Sequence, residues 1–76
     1  MRLRKALAAN LKRLRLAAEL SQEELAHRAD MDRTYVSSLE RGNYAATVDM
    51  LERIAEALGV EPLELLQSVD APLSEG

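Results

Sequence analysis

The sequence contains no cysteine, no tryptophan and no phenylalanine, and its aromatic content is two tyrosines. Without cysteine it can form no disulfide framework, no thiolate metal site and no thiol nucleophile. Glycine is scarce, at three residues, and none stands in a phosphate-cradling loop. No apolar run approaches the roughly 20 residues of a membrane span. Lys12, Arg13 and Arg15 interrupt any signal-peptide core near the N-terminus. The single histidine, His27, has no cysteine and no carboxylate pair beside it that would suggest a catalytic or metal site. These absences predict a cytoplasmic, helical, non-enzymatic chain with no cofactor, no metal, no small-molecule ligand and no membrane partner.

What the chain does have is charge, and it is unevenly placed. The formal net charge is −3 over 76 residues. Residues 1–42 carry nine Lys or Arg and six acids, a balance of +3. Residues 43–76 carry one base, Arg53, and seven acids, a balance of −6. Binding to a polyanion depends on the local patch, so the negative sum does not exclude nucleic acid.

Apolar periodicity predicts five helices and no strand. Leu3, Leu7, Leu11, Leu14 and Ala18 recur at helical spacing, giving a first helix over about residues 3–18. Ser21 and Glu24 form a capping box, with Leu20 and Leu25 as its hydrophobic staple, and start a second helix over about 22–29. Asp32 is placed to cap a third helix over about 33–41, closed by Gly42. Thr47 is placed to cap a fourth, with Val48, Leu51, Ile54, Ala55 and Leu58 as its stripe and Gly59 as its stop. Pro62 opens a fifth, whose face is Leu63, Leu66 and Val69. The expected organisation is one all-α domain over 1–69 with a flexible tail over 70–76.

Helices two and three, joined by about three residues with Ala26 inside the first, describe a helix-turn-helix unit over about 21–41. A plain helical hairpin explains the apolar positions equally well. It does not explain Arg33, Thr34, Tyr35, Ser37 and Ser38, which are poor choices for a merely solvated helix face. Short hydroxyls beside an arginine suit base edges and phosphates.

Leu11-Lys-Arg-Leu-Arg15, Leu20-Ser-Gln-Glu-Glu-Leu-Ala26, Asp32-Arg-Thr-Tyr-Val-Ser37 and Leu39-Glu-Arg-Gly42 together closely resemble the Cro/phage-repressor (XRE) helix-turn-helix family. Thr47 to Val60 looks like the helix that follows the motif there, so the resemblance spans roughly residues 8–67. The run from Asp32 to Arg41 is also similar to restriction–modification controller proteins. The resemblance implies a five-helix Cro/repressor-like domain and a homodimer on a near-palindromic operator in double-stranded DNA. It implies base contacts from Arg33, Thr34 and Ser38, and backbone contacts from Gln22, Tyr35, Ser37, Arg41, Asn43 and Thr47. It also implies an internal ion pair between Arg15 and Glu40.

Two turn positions depart from the family pattern, with Glu19 and Asp30 where glycine is usual. The loop Asn43-Tyr-Ala-Ala46 lacks basic residues, and Tyr44 is expected to pack beneath it. Leu63, Leu66 and Val69 are the expected dimer interface, because these apolar residues exceed what one small core needs. The competing function is a protein-interaction module of antitoxin or adaptor type. Its acidic half would meet a partner protein, with DNA binding secondary.

Overall fold

The computed structural model describes residues 2–67 and contains five helices in chain order. They are α1 (Arg2–Ala17), α2 (Gln22–Arg28), α3 (Arg33–Glu40), α4 (Val48–Leu58) and α5 (Pro62–Leu66). Each lies within two residues of its expected bounds. Among the described residues there is no strand, and no helix is long and apolar enough to cross a membrane. Val69 and the expected tail over 70–76 lie outside the described residues.

The starts of α2 and α4 form as their residues dictate. Glu24 N donates to Ser21 Oγ at 3.0 Å, and Ser21 N donates to Glu24 Oε1 at 2.8 Å, completing the capping box. The Ser21 amide, and then its hydroxyl, holds the Glu24 carboxyl below the usual carboxylate range. Met50 N donates to Thr47 Oγ1 at 3.1 Å. Asp32 corrects the expectation: it occupies the N-cap of α3, but its side chain makes no cap hydrogen bond.

The ends of α1, α2, α3 and α4 share one device. In each, a residue with positive φ turns the chain, and the next residue's amide reaches back five positions to a carbonyl of the last turn. The pairs are Leu20 N to Arg15 O, Met31 N to Ala26 O, Asn43 N to Ser38 O and Val60 N to Ala55 O, at 2.9–3.1 Å. Gly42 and Gly59 occupy two of the left-handed positions, at φ 74° and 73°. Glu19 and Asp30 occupy the other two, at φ 59° and 57°. Both substitutes for glycine are therefore accommodated without a change of turn type. The following residues Leu20, Met31 and Val60 are apolar and pack on the core, the hydrophobic contact that usually accompanies such an end.

The core draws on every helix. Leu11, Leu25, Val36, Leu39, Ile54 and Leu65 are fully buried, and Leu7, Ala26, Ala29 and Ala55 nearly so. Burying each large aliphatic side chain is worth about 1.5–3 kcal/mol. Ala26 is 2% exposed at the α2–α3 contact, where a larger side chain would push the helices apart. Three expected core positions are corrected. Leu3 and Val48 sit at helix starts, beyond the reach of the opposing layer, and are 55% and 78% exposed. On α5 the buried residue is Leu65, with Leu66 half-buried and Leu63 72% exposed. So short a helix presents one side chain squarely to the core.

One polar residue is buried with the aliphatics. Asn10 donates through Nδ2 to Leu65 O (3.0 Å) and Gln67 O (2.7 Å), and its Oδ1 accepts from Arg13 Nη2 at 3.1 Å. It satisfies carbonyls at the end of α5 and ties that helix to α1.

Candidate nucleic-acid interface

The expected reading helix, α3, is held at both ends. At its C-terminal end, Arg15 grips Glu40 with two prongs, Nε to Oε2 at 2.6 Å and Nη2 to Oε1 at 3.1 Å. The side chains are 10% and 5% exposed. Arg15 Nη1 also donates to Leu20 O at 2.8 Å, the loop carbonyl just before α2. The hydrogen bond to Glu40 raises the Arg15 pKa, outweighing the opposing effect of burial. Gln22 Nε2, at the first residue of α2, donates to Glu40 Oε1 at 3.0 Å. One carboxylate thus joins α1, α2 and α3. The structure contains the ion pair between Arg15 and Glu40 and places Gln22 against it as a brace.

The turn between α2 and α3 is secured by a residue that sequence reasoning missed. Arg53, on α4, donates through Nε to Ala29 O at 3.1 Å and through Nη2 to Asp30 O at 2.9 Å. A cation at the C-terminal carbonyls of α2 is favoured by the helix dipole. The available signal was that Arg53 is the sole base in the acidic half.

This frame leaves the first turn of α3 open. Arg33 and Thr34 are exposed. Ser38, one turn after Thr34, is half-buried, and both line a shallow groove with Asp32, Tyr35, Tyr44 and Arg53. The three expected base-reading residues therefore lie on adjacent turns of one helix. Ser37 is half-buried, and its hydroxyl accepts from Arg41 Nη1. Arg41 and Asn43 are exposed where α3 ends, and exposed Thr47 caps α4. Tyr35 is half-buried, and burial, with a smaller effect of Tyr44, raises its pKa.

Tyr44 corrects the expectation that it packs beneath its loop. It is 50% exposed and stands edge-on to Tyr35, with centroids 4.8 Å apart and planes at 87°. Such a pair contributes about 0.5–1.5 kcal/mol beyond its buried area and ties the loop to α3. Among the described residues, no group of three or more His, Cys, Asp or Glu could hold a metal ion. The surface offers hydrogen-bond donors, hydroxyls and cations around an exposed helix start, which is the equipment of a groove reader.

Known proteins carry the same arrangement. A family model described as helix-turn-helix matches residues 11–65. The control protein C.BamHI of Bacillus amyloliquefaciens is 44% identical over 57 residues, covering 74% of this chain and 70% of that protein. The structure of a hypothetical transcription factor from Neisseria superposes with a TM-score of 0.86 at 41% identity, covering 90% of this chain and 76% of that one. The restriction–modification controller protein C.AhdI of Aeromonas hydrophila superposes with a TM-score of 0.79 at 39% identity, covering 82% and 94%. The chain belongs to the helix-turn-helix family, and controller proteins are among its relatives.

Proposed function

We propose that this chain is a sequence-specific DNA-binding transcriptional regulator of the controller-protein type. It acts by occupying a near-palindromic operator as a homodimer, with one α3 in each of two successive major grooves about 34–36 Å apart. The observation that carries this reading is the exposed first turn of α3, held by Arg15, Glu40 and Gln22 on one side and Arg53 on the other. Arg33 is assigned the bidentate guanine contact, and Thr34 and Ser38 the neighbouring base edges. Gln22, Tyr35, Ser37, Arg41, Asn43 and the start of α4 at Thr47 meet the sugar–phosphate backbone. Gln22 keeps its bond to Glu40 while its helix start faces a phosphate.

The dimer surface is assigned to Leu63, Leu66 and Val69. Leu63 is largely exposed, and Leu66 borders an apolar groove with Leu3, Leu7, Ala46 and Leu51. Covering this patch with a second copy removes apolar surface that one small core leaves in water. Regulation follows from where the operator lies relative to a promoter.

A binding selection from a random duplex library tests the whole reading. The expected product is an inverted repeat with half-sites one helical turn apart. In the same assay Arg33→Ala is expected to lose about 1–3 kcal/mol of discrimination at one base position per half-site. Enrichment of no sequence, or of a single unrepeated half-site, would contradict the proposal.

A further inference from the structure

Helix α1 carries six bases and no acid. Arg2, Arg4 and Lys5 fall in its first turns, at the positive end of the helix dipole, where cations are unfavourable by about 0.3–1 kcal/mol each. Folding alone gives no reason for that placement. Part of this charge lines a groove between α1 and the end of α3, bordered by Lys5, Lys12, Arg13, Glu40 and Arg41. Lys5 and Lys12 are two helical turns apart on one face, both exposed, and neither makes a salt bridge among the described residues. Arg13 and Arg41 bond only to neutral groups, the Asn10 amide oxygen and the Ser37 and Ser38 hydroxyls. The one acid in the groove, Glu40, has both oxygens engaged by Arg15 and Gln22.

Small residues floor the groove. Ala8 and Ala9 line it, and a Cβ on Gly42 would stand 3.9 Å from the Ala8 Cβ. The cations therefore surround a smooth concavity that opens beside the C-terminal end of α3.

We propose that this groove is a second phosphate-binding track, in which Lys5 and Lys12 hold the backbone of DNA flanking the half-site that α3 reads. The inference rests on the proposed DNA-binding function and deepens it. The groove continues from Arg41, already assigned to the backbone, away from the base-reading turn. It adds affinity that is indifferent to sequence and sensitive to salt. Helix α1 thereby becomes part of the ligand-binding surface as well as a core element.

The experiment compares wild type with the double variant Lys5→Ala, Lys12→Ala on two operator duplexes, one trimmed to the half-sites and one extended on both flanks. Affinity is measured from about 0.05 to 0.2 M salt. Each neutralised phosphate contributes about 0.9 to the slope of log affinity against log salt, so two lost contacts make the ratio of wild-type to variant affinity fall roughly tenfold over that range. Wild type is expected to favour the extended duplex, and the variant to lose that preference while retaining its choice of operator over scrambled sequence. Thermal melts check folding, which the exposed lysines leave intact. If wild type binds its operator but the variant shows the same slope and flank preference, the track is refuted and the proposed function stands. If wild type selects no operator, both fall.

Discussion

Glu40 is the residue on which the placement of α3 most depends, and its removal has a calculable consequence. Its carboxylate accepts two hydrogen bonds from Arg15 and one from Gln22 in a nearly dry setting, with 5% of the side chain exposed. Glu40→Ala leaves Arg15 buried and charged, with Leu20 O as its remaining partner. Breaking such a pair from one side costs about 3–5 kcal/mol, against about 0–1 kcal/mol for an exposed pair. Stability of about 0.05–0.15 kcal/mol per residue leaves little margin beyond that. The expected fall in melting temperature is at least about 12 °C, since 1 kcal/mol moves a domain of this size by about 4–8 °C. Replacing both partners, as Arg15→Met with Glu40→Leu, removes the buried charge together with its counter-charge. This double variant is expected to recover most of the lost stability yet still bind operator poorly, because Gln22 and α2 no longer brace α3. Urea unfolding followed by circular dichroism, beside operator titration, measures both effects. A loss below about 1 kcal/mol in Glu40→Ala would refute the reasoning, as would a double variant as unstable as the single one.

The capping box of α2 makes stability depend on pH. The Glu24 carboxyl is held below its ordinary range in the folded chain, so its contribution is present above the unfolded carboxylate pKa and is lost as pH falls through the folded value. The acid decline in urea midpoint is expected to be shallower in Glu24→Gln, and Ser21→Ala is expected to lose about 1 kcal/mol at neutral pH; parallel acid profiles would contradict this. At Glu19, φ of 59° imposes a left-handed conformation that a side chain disfavours by about 1–2 kcal/mol. Glu19→Gly is therefore expected to raise the melting temperature by a few degrees, after glycine's own entropy of about 0.5–1 kcal/mol is deducted; a lower melting temperature would refute it.

Much of this architecture could be read along the chain because its signals are local. The Ser21–Glu24 box, the Thr47 cap and the glycines after α3 and α4 act within a few residues, so spacing alone suffices to place them. The ion pair of Arg15 with Glu40 spans 25 residues and was legible only through family resemblance. Asn10 and Arg53 went unread because their partners are backbone carbonyls 55 and 24 residues away, and a carbonyl has no sequence signature. Helix α5 was misassigned for a related reason. Over five residues, Leu63, Leu65 and Leu66 satisfy several helical phases equally, and only packing against α1 selects Leu65.

Local chemistry in the sequence determined five helices, where four of them begin and end, and a hydroxyl-rich helix beside an arginine. Tertiary structure decided which of those side chains remain available to a ligand. It engages Glu40 and frees Arg33 and Thr34, and it gathers the cations of α1 beside the end of α3. Charge is a property of residues, but a patch is a property of distances, and distances between helices are set by the core.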